Sequence, residues 1–438
     1  MFPIYDPTNP DDRAGLQQRL DALRGAADPD GQWATLAADL IRDTRQRGDA
    51  AIVEHMQQFT DPDFSADRMR VTQEELAEAD KQLTGELREA IEQAISNVYA
   101  YQKHIKPRDA DPVWIADAEL GLRWTPITPV GLMVPGGSAV LFSSLIMLAV
   151  PAMVAGVKPE DITVVTPPPY RKEGESAKDI SPITLAVANM LGLSKVYRIG
   201  GPPAVAALAY GTDTIGKVNF IAGPGHPVVQ AAKMRVNGVV GVDAFYGASE
   251  IVTIADDTCN VDAVAADLIA QAEHDPGKCF LIAWDRAVIE KITEAIDAQL
   301  SFRKRRDAIE ASFKDASFAV LVKDEAEAAQ WSDIFAAEHV NLAVKDPQAL
   351  LQTIQHGGEV FLGNTPVASG DYYAGPSHTL PTDTTGRFTS GVSCITFMKR
   401  TGTVAYPNGM PGKVIDHIAA MAEAEGLDGH AASVRQRG

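Results

Sequence analysis

A few side chains stand at spacings that could do chemistry. Gln271-Ala-Glu-His274 closes a predicted helix over 261–274. Residues three apart share a helix face, so the Gln271 amide oxygen and the His274 imidazole can point at one atom. Such a pair suits a zinc ion. It also suits an ordinary polar helix end, where the dipole favours histidine. Glu338-His339 precedes a predicted strand over 340–344. A carboxylate beside an imidazole offers two proton acceptors of different basicity, the equipment of acid–base catalysis; a plain loop pair has the same composition. Asp371 and His378 lie in a stretch over 370–382 rich in Gly and Pro. Such loops, set on a rigid sheet, are where sites are built, and equally where surface connections run. Glu425 and His430, in the tail, read by themselves as solvated surface.

Three glycine turns form a second set: Pro135-Gly136-Gly137, Gly200-Gly201-Pro202 and Gly223-Pro224-Gly225. Each follows a predicted strand and opens a helix, where backbone amides can meet a phosphate. None completes GxGxxG, since Val228 stands where the last glycine belongs. Asp243 follows Gly223 at about the distance from which an acidic residue reaches a ribose.

The elements that must position these residues show two regimes. Residues 12–105 read as helical, with apolar positions such as Trp33, Leu36 and Leu40 at helical spacing and a break at Asp61-Pro62-Asp63. From about residue 122, strands alternate with helices. Strands are expected over 127–134, 162–165, 195–199 and 218–222, with helices over 179–191 and 203–210. The alternation restarts with strands over 250–255, 279–284, 318–322, 340–344 and 359–362, and with helices over 261–274, to about 300, over 324–335 and over 347–355. Strand, turn, helix, strand is the pattern of a parallel sheet. The expected fold is α/β: two doubly wound, incomplete Rossmann-like parallel-sheet domains, an N-terminal helical region and a short helical C-terminal tail. The expected division is 1–121, 122–246, 247–370 and 371–438. The tail, about 411–438, reads as one amphipathic helix with a short end, too short to be a domain and so packed on something else, another subunit being one choice. The uncharged stretch 139–157 is long enough to span a membrane. Ser143, Ser144, Pro151 and Gly156 within it fit a buried helix better.

Composition narrows the function classes. Lys and Arg number 39 against 58 Asp and Glu, a net charge of −19. A chain this acidic is poorly suited to a nucleic-acid backbone, and its one dense basic run, Arg303 to Arg306, reads as a solvated helix face. Three cysteines without a CxxC cannot frame a disulfide scaffold. Reduced thiols and an N-terminus without signal-peptide character point to the cytoplasm.

Taken together, these residues resemble the histidinol dehydrogenase family, from about residue 34 to the tail. The likeness is clearest in Val130-Gly-Leu-Met-Val-Pro-Gly-Gly137, Ala209-Tyr-Gly-Thr212, Gly223-Pro-Gly225 and Ala248-Ser-Glu-Ile-Val252. It continues through Asp267-Leu-Ile-Ala-Gln-Ala-Glu-His274, Glu338-His339, Val360-Phe-Leu-Gly363 and Gly370-Asp371 to Thr382. Phe397-Met-Lys-Arg400 and Glu425-Gly-Leu-Asp-Gly-His430 close it. The resemblance implies oxidation of L-histidinol to L-histidine, through the aldehyde, with two NAD, in histidine biosynthesis. It implies zinc held by Gln271, His274, Asp371 and His430, and a homodimer in which the exchanged tail brings His430 to the partner's site. His339 is implied as general base and Glu338 as activator of water. Ser249, His378 and Glu425 are implied as substrate contacts, alongside His339 and the zinc residues. No nucleic acid or membrane partner is implied.

The departures from the family's pattern fall on the cofactor side. Met133 stands where many members carry Tyr, Pro203 where Gln is usual, and His226 where Asn is usual. Gly-Pro-Ser-Glu has become Gly247-Ala248-Ser249-Glu250. Pro203 has no N–H to donate. Two other readings use the same residues: a paralogue oxidising another polar primary alcohol, and a zinc- or metabolite-binding homologue with a lost or altered cofactor site. Retained Glu425 favours an amine-bearing substrate, since a carboxylate suits an amine.

Overall fold

The computed structural model describes residues 3–25, 31–137, 140–172, 175–274 and 277–437. Runs such as Ile-Thr-Val-Val and Glu-Ile-Val-Thr-Ile-Ala are rich in β-branched residues and have no polar alternation, so they are stable only where both faces are covered. They form interior strands of two parallel sheets.

An N-terminal strand, β1 (Ile4–Tyr5), comes first, and a hairpin, β2 (Ala110–Ile115) and β3 (Ala118–Pro126), follows the N-terminal helices. The first parallel sheet contains β4 (Val130–Met133), β5 (Ile162–Val165), β6 (Lys195–Tyr197), β7 (Phe220–Ala222) and β8 (Gly241–Val242). Its order is β6-β5-β4-β7-β8. The second contains β9 (Glu250–Ala255), β10 (Lys278–Ala283), β11 (Phe318–Leu321), β12 (His339–Ala343) and β13 (Glu359–Leu362), ordered β11-β10-β9-β12-β13 with β1 added beside β11. Both sheets therefore place their own strands in the order 3-2-1-4-5, the Rossmann arrangement without its sixth strand. A late strand, β14 (Met398–Ala405), pairs antiparallel with β3 to complete a small third sheet.

Each parallel sheet is sandwiched between two apolar layers. Helix Phe142–Ala155, the centre of the uncharged stretch, is buried nearly throughout against the first sheet. No helix among the described residues is long and apolar enough to cross a membrane. Helix Pro10–Arg24 buries Leu16, Leu20 and Leu23 on the second sheet, beside the strand pairing of β1. Helices Gln32–Arg47 and Asp49–Phe59 pack on the first.

Several elements differ from the sequence reading. β1, the hairpin β2–β3 and β14 were not expected. Their sequences are short or exposed and carry no apolar alternation strong enough to mark them. The tail is two helices rather than one, Gly412–Ala424 and Asp428–Arg435. The chain turns between them at Gly426, whose φ of 76° ends the first helix.

Candidate active site

The candidate acid–base pair lies where the amino ends of β9, β12 and β13 come level, with His339 in register with Ile251 and Glu359. His339 begins β12 and Glu338 precedes it, so the pair emerges at the sheet edge with both side chains buried. Glu338 Oε2 accepts the Glu250 backbone N–H at 2.9 Å and the Ser249 hydroxyl at 2.5 Å. Ser249 Oγ in turn accepts from Gln271 Nε2 at 2.6 Å. A single chain of hydrogen bonds thus joins the last turn of helix Val261–Ala272 to the candidate catalytic carboxylate.

His339 sits between two acids. Its Nδ1 is 3.7 Å from Glu338 Oε2 and its Nε2 is 3.3 Å from Asp371 Oδ1, both ion-pair contacts without a formed hydrogen bond. Burial works against an imidazolium there, yet Glu338 and Asp371 outweigh it and carry His339 up to about 9. Burial raises Glu338, opposed by His339. Burial also presses Asp371 upward, but the imidazoles of His339, His378 and His274 outweigh it and lower the carboxyl. Asp371 is brought in by the short helix Ala368–Tyr372, and Gly370 permits the approach: a Cβ there would stand 2.7 Å from the Phe361 ring. His378 Nδ1 lies 2.7 Å from the Asp371 carbonyl and its Nε2 3.0 Å from Ser144 Oγ. A carbonyl only accepts, so Nδ1 carries the proton and Nε2 accepts from Ser144. Burial lowers His378, in keeping with that neutral form.

His274 lies two residues past the end of its helix and is exposed. Protein atoms packed around the ring lower its imidazole despite that surface exposure, while Asp371 opposes the shift. Amide, imidazole and carboxylate are donors that fit zinc, and three imidazoles converge electrostatically on Asp371. Among the described residues, no three His, Cys, Asp or Glu side chains already stand as a ligating array. Glu425 and His430 are exposed on the tail, whose helices pack mainly on each other. This chain does not bring them to the other site residues.

Met133, Pro203 and His226 lie along the carboxyl edge of the first sheet. Met133 ends β4, Pro203 is buried in the first turn of helix Gly201–Tyr210, and His226 caps helix Pro227–Val236. His226 Nδ1 accepts the Val228 N–H at 3.3 Å, and its ring meets Trp33 edge-on. The side chain is thus already used as a helix cap. Gly223, at φ 128°, lets its turn cross the end of β4: a Cβ there would lie 2.2 Å from the Met133 carbonyl oxygen. This edge, at the switch in strand order between β4 and β7, carries the glycine turns at the place where open α/β sheets form a ligand cleft.

Asp243 does not face that cleft. It is fully buried in an ion pair with Lys233, and its Oδ2 accepts the Gly223 N–H at 2.6 Å. Lys233 also donates to the carbonyls of Gly223 and Ala244. The pair is a clasp beneath the glycine turn, and Asp243 has no freedom to reach a ribose. Sequence spacing counted its distance along the chain and could not show that the side chain turns inward.

Other groups escaped the sequence reading altogether. Glu250 is carried up to about 8 by burial, against the pull of nearby Lys278, which also pairs with Asp383. Glu359 is pushed up to about 7 by burial, opposed by His339. Both stand beside Glu338 and His339 only because parallel strands start level.

Comparison with known proteins gives a consistent result. A family profile described as Histidinol dehydrogenase matches residues 24–438. "Histidinol dehydrogenase" of Ruegeria pomeroyi is 41% identical over 443 aligned positions, covering 100% of this chain and 99% of that protein. "Histidinol dehydrogenase 2" of Trichormus variabilis is 41% identical over 401, covering 91% of each. The crystal structure of histidinol dehydrogenase from Elizabethkingia anophelis superposes with a TM-score of 0.87 at 31% identity, covering 100% of this chain and 98% of that one.

Proposed function

The chain belongs to the histidinol dehydrogenase family, and on that premise we propose that it oxidises L-histidinol to L-histidine through the aldehyde, with NAD as the hydride acceptor in both steps. The observation that carries this reading is the buried Glu338–His339 pair, tied through Ser249 to Gln271 and facing Asp371.

Gln271, His274 and Asp371 would hold zinc, which when bound supplies a positive anchor for the substrate's nitrogen donors. The cleft beside Met133, Pro203 and His226 would hold NAD. Within the chain, His339 takes the alcohol proton in the first oxidation. With both Glu338 and Asp371 facing it, His339 is held protonated. Base function therefore requires Asp371 to be engaged elsewhere, as its role as a ligand provides. Glu338, oriented by the Glu250 N–H, draws a proton from water as that water adds to the aldehyde carbon. The resulting hydrate gives up the second hydride and becomes the carboxylate. Ser249 and His378 contact the substrate, and a second copy of the chain contributes Glu425 and His430 from its tail. The exposure of those two residues here is what supports the exchange.

The test is NADH formation by zinc-loaded protein given L-histidinol and NAD, with His274→Ala as control. Two NADH per histidinol, lost in the variant, is the expected result. No NADH from folded, zinc-containing protein at high NAD overturns it. A second reading, with an altered cofactor site, is favoured by His226 serving as a cap and Pro203 lacking an N–H. It predicts histidinol binding to zinc-loaded protein with no detectable NAD binding.

A further inference from the structure

The two sheets share one strand order, and in such sheets ligands bind outside the carboxyl ends, where the order reverses. In the first sheet that point carries the glycine turns. In the second it lies between β9 and β12, beyond Ala255 and Ala343. The catalytic candidates are not there: Ser249, Glu338 and His339 stand at the opposite, amino ends of these strands. The carboxyl-end crevice nevertheless holds a cavity of about 510 Å³, between helix Val261–Ala272, β12 and the turn after β13. That is the size of a small-molecule site.

The lining defines the ligand. Ala263, Val344 and Pro366 give it apolar walls, and no Lys or Arg is among the lining residues. A pyrophosphate, which needs positive charge or a bare glycine turn, is poorly served. The charged group is Asp267, which accepts from Asn341 Nδ2 at 3.2 Å and takes part in no ion pair among the described residues. Burial pushes its carboxyl up to about 6. Asn341 is 1% exposed and keeps its Oδ1 without a partner. Thr253, its register neighbour on β9, is fully buried and likewise keeps Oγ1 unpartnered. The unmatched Asn341 acceptor, beside a carboxyl without an ion-pair partner, favours a guest that brings N–H donors and positive charge.

We propose that this crevice binds a small organic cation, an ammonium carried on an apolar body, with Asp267 as its counter-charge. The site is distinct from the catalytic one and does not rest on the substrate assigned above.

Cys259 lines the cavity and is half-buried, while Cys279 and Cys394 are buried. Its alkylation by iodoacetamide, followed by peptide mass in the full-length protein, therefore reports on the crevice. Benzylamine at saturating concentration is expected to slow that reaction roughly fivefold or more, an occupancy effect. Benzoate is expected to have no effect and benzyl alcohol little. Asp267→Asn should remove the protection while leaving the unliganded rate unchanged. Ala263→Trp, which fills the cavity from its wall, should slow alkylation without benzylamine and cancel the ligand's further effect. Three results would overturn the proposal: no protection of the wild type, equal protection by benzoate or benzyl alcohol, or a Cys259 that does not react at all without ligand. None of these depends on histidinol turnover, so failure here is separable from failure of the proposed activity.

Discussion

Glu338 is fixed by two donors and one imidazole, so removing its charge without its shape isolates its role. Glu338→Gln is expected to slow the second oxidation by roughly 10²–10⁴, the usual worth of a positioned acid–base group. The first hydride transfer should survive, and stopped-flow absorbance would then show one fast NADH per site followed by a slow phase. Two fast NADH would remove Glu338 from water activation. The Lys233–Asp243 clasp makes a different prediction. Burial pushes Lys233 down and Asp243 up, so each is tolerated as an ion only because of the other. Lys233→Met strands a buried carboxylate and should cost about 3–5 kcal/mol in urea unfolding. Adding Asp243→Asn should recover part of that loss, because an amide oxygen still accepts the Gly223 N–H.

Helix Asp49–Phe59 lays His55 against the Gly200–Gly201 turn. A Cβ on Gly201 would stand 2.7 Å from His55 Nε2, and the imidazole also packs on Phe59. Burial lowers His55 from 6.5 to about 4. Above pH 6.5 the ring is neutral in both folded and unfolded chains and adds no pH dependence. As pH falls from 6.5 towards 4 the unfolded chain takes up a proton that the folded one refuses, so stability declines. The full shift would correspond to about 3 kcal/mol, and partial exposure of the ring makes the effect smaller. Comparing urea midpoints of wild type and His55→Leu across pH 4–7 measures it: the wild type should lose more stability on acidification. Parallel curves would show that the turn does not enclose the ring in solution.

The arrangement of the whole molecule leaves the tail's Glu425 and His430 exposed, away from Gln271, His274 and Asp371. If the tail is exchanged in a homodimer, chains carrying His274→Ala and His430→Ala should complement each other. Half of the dimers would be mixed, each with one intact site, so co-expression should restore about a quarter of wild-type activity. With sites built from one chain, every site would be broken and no activity would return.

The apolar runs that become β5 and β9 were legible residue by residue, because a strand buried on both faces needs β-branched residues whatever its neighbours are. The glycine turns and the Glu338-His339 pair were legible for a similar reason, as local chemistry in local order. β1, the hairpin and β14 were not, because each is held by a distant partner: β1 by β11 and β14 by β3. Tertiary structure alone turned Asp243 inward onto Lys233, set Glu250 and Glu359 beside Glu338 and His339, and placed Asp371 among three imidazoles. Sequence spacing conveys distance along the chain. Burial, which decides whether a carboxylate is a clasp, a ligand or a base, depends on what folding brings against it from elsewhere.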